Sequence, residues 1–277
     1  MAPPKNQSVL KAFRMLKGFH GPDEWLTSCE LSRRANLPEA SGYRLIQTLE
    51  QIGAVVRGPR GRYRPGMLLV SLSHNVAIGD LLREASHKII TELAYRLDLT
   101  IHIGLLEGGM VTYIAKVCTP TSLSPHTRLG SQLEAYCSGL GKVLLAALPQ
   151  DQLDGFIMDG DLVALTPFTI TDRTALRAEL QKVRSRGYAV DDREIRADMR
   201  CLAVPIHDAD GRVVAAMSST DHAERMTESR QTEVRIALQE AARALECKVF
   251  PPGPTVVPSM SARLPAAHEM PFAAAHG

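Results

Sequence analysis

The stretch TSCELSRRANLPEASGYRLIQTLEQIG, Thr27 to Gly53, reads as two short helices joined by a tight turn. The turn falls at Asn36-Leu37, and Pro38 suits the first turn of the second helix, where a missing N–H removes no helical hydrogen bond. In that second helix Leu45, Ile46, Leu49 and Ile52 recur on one face. Ser41, Arg44, Gln47 and Gln51 are then left to point outward. This is helix-turn-helix anatomy, and a polar outward face of this kind matches what a DNA major groove admits and reads.

The flanks extend the reading. Upstream, Val9, Phe13 and Leu16 at helical spacing predict a supporting helix over residues 7–19 with that stripe buried. Downstream, AVVRGPRGRYRPG (54–66) predicts two short strands around Gly58-Pro59-Arg60-Gly61, crowded with Arg57, Arg60, Arg62 and Arg64. A basic hairpin beside a helix-turn-helix is a wing. Candidate contacts to double-stranded DNA are Ser41, Tyr43, Arg44 and Gln47 on the helix and Arg57, Arg60 and Arg62 on the wing. Charge supports the assignment: residues 1–66 carry 11 Lys/Arg against 5 Asp/Glu, whereas residues 67–277 carry 21 against 25. A basic module precedes an acidic one, as a polyanion partner for the first requires.

The chain of 277 residues is long enough for two cores, with 45% hydrophobic and 22% charged residues. No apolar run nears the roughly 18 residues of a membrane span, and the N-terminal MAPPKNQSVLKAF lacks the apolar centre of a secretory signal. A cytoplasmic protein is expected. Cys29, Cys118, Cys137, Cys201 and Cys247 form no Cys-x-x-Cys pair, so reduced thiols are expected, with no metal and no cofactor.

Residues 67–80 predict a linker helix, followed by an amphipathic helix with Leu81, Ala85, Ile89, Leu93 and Leu97 at four-residue intervals. TIHIGLLEGGMVTYIAKV predicts a hairpin turning at Gly108-Gly109, and CLAVPIHDADGRVVAAMSST a second near Asp210-Gly211. Between them, DRTALRAELQKVRSRG predicts a helix ended by Gly187, and a last helix spans about Glu228 to Lys248. Helices mixed with antiparallel hairpins indicate an α+β domain over 81–250. From Pro251 the chain is rich in Pro and Ala without periodicity, and a disordered tail over 251–277 is expected.

YCSGLGKVLLAALP, Tyr136 to Pro149, admits several chemistries. A nucleotide phosphate loop needs Gly where Tyr136 stands and Ser or Thr where Val143 stands, so that reading fails. Cys137 near a helix start is a candidate nucleophile without a supporting local signature. Two readings remain open: the Ser138-Gly139-Leu140-Gly141 turn cradles an anion on free N–H groups, or its glycines serve only tight packing.

Taken in order, LPEASGYRLIQTLEQIG, GRYRPG, YCSGLGKVLLAALP, RGYAVDDREI, MRCLAVPI and GRVVAAMSST resemble the IclR family of bacterial transcriptional regulators over about residues 7 to 247. The resemblance implies a winged helix-turn-helix joined by a helix to a GAF-like effector-binding α+β domain with an antiparallel sheet. It also implies a homodimer or homotetramer on operator DNA, with RNA polymerase as a further contact. Carried over motif by motif, the effector pocket would use Gly139, Leu140, Asp191, Met199, Cys201, Ser218 and Thr220, with Leu133 and Tyr136 as apolar lining. These types suit a small carboxylate, and the glycine-loop stretch leans toward members that sense aromatic or hydroxyaromatic acids in catabolism. This chain departs from the family pattern at Asp198, commonly glycine, at Asp221-His222, usually Gly-Pro, and at Glu134, where the aromatic-acid sensors usually have proline. Asp198 and Asp221 are thus expected to put extra carboxylates at the pocket rim. The rival reading is a cysteine-dependent hydrolase or transferase using Cys137 or Cys201, with a DNA module attached.

Overall fold

The computed structural model describes residues 4–21, 23–74, 76–123 and 127–251. The expected tail therefore lies, beyond Pro251, outside the described residues. The chain divides into two compact units, Met1–Leu81 and Leu82–Gly277.

The first unit runs α1 (Gln7–Leu16), β1 (Leu26–Thr27), α2 (Ser28–Arg34), α3 (Glu39–Gln51), β2 (Val55–Arg57), β3 (Arg62–Pro65) and α4 (Met67–Ser73). Helix α2 starts in a capping box, in which Thr27 Oγ1 accepts from the Glu30 N–H while the Glu30 carboxylate accepts from the Thr27 N–H. The turn into α3 passes through Asn36 at φ 52°, a left-handed conformation that asparagine tolerates. Strand β3 lies between β1 and β2 in an antiparallel sheet, with Tyr63 opposite both Leu26 and Arg57. Met15, Leu31, Ile46, Leu49, Val55 and Tyr63 form the core.

Two expectations about this unit change. Val9 and Phe13 are exposed, at 51% and 62%, and Met15 is the buried residue of α1. Helix α1 carries two overlapping apolar stripes, and periodicity alone does not choose the one that faces α3. At the end of α3, Ile52 is exposed rather than buried with Ile46 and Leu49.

The helix expected over 67–80 is also interrupted. Helix α4 stops at Ser73, and α5 (Ile78–Leu97) begins only at Ile78. The hydroxyls of Ser71 and Ser73 turn back onto the Met67 and Val70 carbonyls, at 3.1 and 2.8 Å. Such local bonds compete with helical hydrogen bonding. The boundary between the two units falls inside α5. Along α5 the buried residues are Leu82, Ser86, Ile90, Leu93, Ala94 and Leu97, whereas Leu81 is exposed. Steps of four overrun a 3.6-residue turn by about 40° each, so a strict four-residue stripe drifts off the core face.

The second unit continues through β4 (Thr100–Glu107), β5 (Met110–Val117), β6 (Gln132–Glu134), α6 (Gly139–Ala147), α7 (Gln150–Asp159), α8 (Arg173–Arg186), β7 (Ala189–Asp192), β8 (Met199–His207), β9 (Val213–His222) and α9 (Glu228–Val249). Its six strands form one antiparallel sheet in the order β6-β5-β4-β9-β8-β7. Both expected hairpins are present as β4–β5 and β8–β9. Helix α8 ends at Gly187, φ 76°, as its C-terminal glycine predicts.

Helix α6 is buried at every position from Gly139 to Ala146, which makes it the central helix of this unit rather than a surface one. It packs with α7 and α8 on the face of the sheet carrying Val111, Tyr113, Ala203 and Ala216. Helix α9 packs against β8 and β9. Side-chain alternation assigns the two faces: Ala203 and Ala216 share one, while Leu202, Val204 and Met217 take the other.

Gly141 explains how α6 can sit so deep. A Cβ there would stand 2.1 Å from the Ala135 carbonyl oxygen and 2.3 Å from its Cα, so backbone would have to move. Gly141→Ala is expected to lower stability by about 3 kcal/mol despite alanine's better helix propensity, read as a fall in the urea midpoint of the full chain.

Candidate effector cavity and nucleic-acid interface

The strand register places three side chains in one row. Asp191 on β7 lies opposite Cys201 on β8, which lies opposite Thr220 on β9. Ser218 follows two residues back on β9, opposite His102 of β4. Because alternate residues share a face, Ser218 and Thr220 point one way and Met217 and Ser219 the other. The N-terminus of α6 covers this polar row, and a cavity of about 200 Å³ lies between them.

All seven residues implied by the family resemblance line this cavity: Gly139 and Leu140 from α6, Asp191, Met199, Cys201, Ser218 and Thr220 from the sheet. Leu133 also lines it, whereas Tyr136 does not. The Tyr136 ring is buried in the core, and its hydroxyl donates to the Val163 carbonyl at 2.7 Å. The cavity further includes His102, Tyr113, Thr127, Ser138, Ile195 and Arg196, which motif matching missed. His102 lies between Ile101 and Ile103, an alternation that by itself assigns a polar residue to the face away from the core; its burial comes from the helices that cover this second face. No local pattern singles out Arg196.

The electrostatics of the cavity follow from burial. Asp191 Oδ1 accepts from the Glu194 N–H at 2.7 Å, but Oδ2 is buried with no partner. Burial, with repulsion from Glu194, raises the Asp191 carboxyl to about 7. His102 is driven down to about 3 by burial and by Lys116, so it is a neutral imidazole, 2.8 Å from Thr127 Oγ1. Ser138 caps α6 by accepting from the Gly141 N–H at 3.0 Å. Gly139 and Leu140, the first two helical residues, belong to the turn whose N–H groups have no intrahelical acceptor.

Lys142, one turn further on, does not reach the cavity. It is 1% exposed, its ammonium contacts the Glu194 carboxylate, and it donates to the Val190 carbonyl at 2.5 Å. The two glycines therefore differ in role: Gly141 serves packing, while Gly139 meets only ordinary van der Waals contacts and opens onto the cavity.

The thiols are in unreactive surroundings. Cys137 is buried and its thiol is pushed up to about 12, chiefly by desolvation. Cys201 is raised well above the ordinary thiol value, for the same reason, and sits 3.2 Å from Thr220 Oγ1. A nucleophilic thiolate needs electropositive, partly exposed surroundings, which neither has. Among the described residues no group of three His, Cys, Asp or Glu side chains is arranged to hold a metal ion.

Of the two carboxylates expected at the pocket rim, only Asp198 stands beside it, on the lining residue Arg196, and neither lines the cavity itself. Asp221 is buried elsewhere, with Oδ1 accepting from the His222 N–H at 2.8 Å. Asp198 is exposed and held by Arg196, as described below.

On the first unit, Tyr43, Arg44, Gln47 and Gln51 are exposed along α3, while Ser41 is half-buried. Arg57, Arg60 and Arg62 are exposed on the wing, whose tip includes Arg60 at φ 58°. Trp25, the chain's single tryptophan, braces this hairpin. Its ring lies where a Gly58 Cβ would be, its carbonyl accepts from Arg62 at 3.1 Å, and the Arg64 guanidinium stacks 5.0 Å from the ring centroid. Arg62 and Arg64 are thus partly committed to the wing itself.

Comparison with known proteins fits this two-part architecture. Residues 8–59 match the IclR helix-turn-helix domain, and residues 75–247 match the bacterial transcriptional regulator IclR C-terminal domain. The chain is 32% identical over 240 residues to the HTH-type transcriptional regulator XynR of Escherichia coli, covering 86% of this chain and 95% of that protein. The IclR structure of Thermotoga maritima is 30% identical, covers 87% of this chain and 98% of its own, and superposes with a TM-score of 0.58. An IclR homolog from Microbacterium hydrocarbonoxydans, complexed with 4-hydroxybenzoate, is 25% identical, covers 88% and 99%, and also scores 0.58. The chain belongs to the IclR family: it is a DNA-binding transcriptional regulator with a C-terminal effector-binding domain. Among the described residues no helix is long and apolar enough to cross a membrane.

Burial of Asp191 makes stability depend on pH. Its folded pKa, about 7, lies above the unfolded value of 3.8, so this destabilisation is absent below pH 3.8 and grows as pH rises toward 7. Asp191→Asn keeps the Oδ1 acceptor and removes the charge. Expected from urea unfolding is a gain of roughly 2–4 kcal/mol over the parent at pH 8, vanishing near pH 4.

Proposed function

We propose that this regulator senses a small carboxylate in the α6–sheet cavity and thereby controls a catabolic operon. The observation that carries the reading is the convergence on one cavity of the Gly139–Leu140 turn of α6, whose N–H groups have no intrahelical acceptor, two sheet hydroxyls and the buried, unpartnered Asp191 Oδ2. The carboxylate lies toward the Gly139–Leu140 amides, where the helix dipole favours negative charge. The Ser218 and Thr220 hydroxyls donate to it or to a neighbouring oxygen. A ligand hydroxyl satisfies Asp191, while Leu133, Leu140, Ile195 and Met199 line the apolar part. An aromatic hydroxy acid meets these demands, and the relative bound to 4-hydroxybenzoate supports the choice.

In the first unit, α3 enters the major groove with Tyr43, Arg44 and Gln47 toward base edges and Ser41 at its start, while Arg57, Arg60 and Arg62 of the wing meet phosphates. One such module makes few contacts, so operator specificity requires paired half-sites and therefore a homo-oligomer. Effector binding then shifts the spacing or mobility of the paired modules through the segment 67–80.

A thermal-shift screen of the full chain against aromatic, keto and sugar acids checks the sensor. The expected outcome is a rise in Tm with one acid class, abolished in Ser218→Ala and weaker above pH 7, where ionised Asp191 repels a second carboxylate. No rise with any acid, together with unchanged regulation in Ser218→Ala cells, removes the reading.

The DNA surface is checked separately. Arg44→Ala is expected to weaken operator binding by about 10- to 100-fold and to flatten discrimination between operator variants. Arg60→Ala should weaken binding to all sequences alike and reduce its salt dependence. Both follow from titrations at two salt concentrations.

A further inference from the structure

We infer that Arg196 is the cation that selects a carboxylate in the cavity, and that Asp198 is its built-in competitor, displaced when the acid binds. The inference rests on the sensor reading above and adds to it the residues that set charge selectivity. Arg196 lies in the β7–β8 connection, lines the cavity, and is 40% exposed at the side chain, which puts it at the mouth. Its guanidinium is occupied: Nε donates to Asp198 Oδ1 at 3.1 Å and Nη2 to Oδ2 at 2.7 Å. The fork holds a carboxylate in the two-point geometry that an incoming acid would use.

Charge bookkeeping singles this arginine out. Among the charged types lining the cavity, His102 is neutral because burial drives its pKa down to about 3, and Asp191 is anionic or neutral but never positive. Among the described lining residues, Arg196 is the one side chain that carries a positive charge near neutral pH. The helix N-terminus contributes only partial charge. Lys116 and Lys142 act on His102 and Asp191 from behind the lining, so among the described lining residues a carboxylate meets one full counter-charge directly.

The exchange is energetically shallow. The Arg196–Asp198 pair joins residues two apart in an exposed loop, with side chains 40% and 54% exposed, and such pairs contribute little. An acid inside the cavity meets the same guanidinium with less competing water, so the partner can change without breaking a strong contact. The backbone of the loop does not need to follow: the Asp198 carbonyl accepts from the Ala223 N–H at 2.9 Å, and the Arg196 carbonyl from the Met199 N–H at 3.1 Å. What changes is the side-chain partner, and with it the charge that Asp198 presents outside the cavity.

Selectivity is thereby set by a competition. With Asp198 in place, an acid must outcompete a local carboxylate, and a neutral amide of the same shape can accept one hydrogen bond from Arg196 but gains neither the ion pair nor the two-point fork. The test is calorimetric titration of 4-hydroxybenzoate and its neutral amide, 4-hydroxybenzamide, into the full-length parent, Asp198→Asn, Arg196→Gln and the double variant. Expected is an acid-over-amide preference that rises 3- to 10-fold in Asp198→Asn, falls at least 10-fold in Arg196→Gln, and no longer responds to Asp198→Asn once Arg196 is replaced. Amide affinity should change far less than acid affinity throughout, which a merely structural effect of either substitution would not produce. An unchanged preference in Arg196→Gln, with the parent still binding the acid, overturns this inference and leaves the sensor reading standing. Failure of all four proteins to bind either compound overturns both for aromatic hydroxy acids.

Discussion

A lysine ammonium taken out of water holds the effector-binding unit together. Lys142 and Glu194 are 1% and 5% exposed, and their contact joins the first turn of α6 to the connection that follows β7. Removing one partner from such a pair typically costs about 3–5 kcal/mol, because the other charge is left buried and alone. Much of the cavity hangs on this contact. The Glu194 N–H holds Asp191 Oδ1, and the Thr169 hydroxyl donates to the Glu194 carbonyl at 2.6 Å. The Thr166 hydroxyl donates to the Arg193 carbonyl at 2.7 Å. Ile195 and Arg196, next in the chain, therefore take their positions at the cavity from a loop pinned on the inside.

The same design explains why the cavity is polar on one wall. A sheet row of Asp191, Cys201 and Thr220 places three groups with hydrogen-bonding capacity side by side in a desolvated space. Thr220 and Cys201 satisfy each other, but Asp191 has only one of its oxygens paired. A buried polar atom without a partner is costly, and a carboxyl group reduces that cost by taking up a proton. Stability is thus lowered at the place where a ligand can restore it, which links occupancy of the cavity to the free energy of the whole unit.

Periodicity revealed elements more readily than faces. The two hairpins, α8 with its terminal Gly187, and the α2–α3 turn at Asn36 were all legible, because each is specified by a short run of residues with local backbone demands. The buried sides of α1 and α5 were not, since Val9 and Phe13 compete with Met15 for the core, and the four-residue stripe of α5 drifts off Leu81. Motif matching reached seven cavity residues but assigned Tyr136 to the lining, when its ring is buried in the core and its hydroxyl is tied to the Val163 carbonyl. Trp25 as the brace of the wing left no trace in any local pattern, because its partners Gly58, Arg62 and Arg64 lie far along the chain and reach it only when β3 pairs with β1.

By itself the sequence determined the two-module plan, the helix-turn-helix, the basic wing and the family, since these follow from local spacing, charge and ordered motifs. Tertiary structure alone decided which polar groups meet. Asp191, Cys201 and Thr220 are up to 29 residues apart in the chain, and only antiparallel register aligns them into one row. It likewise decided that Lys142, in a motif that superficially suggests phosphate binding, is a buried structural charge, because Glu194 reaches it only once β7 has joined the sheet. Register and burial depend on contacts between distant segments, and no local run of residues carries them.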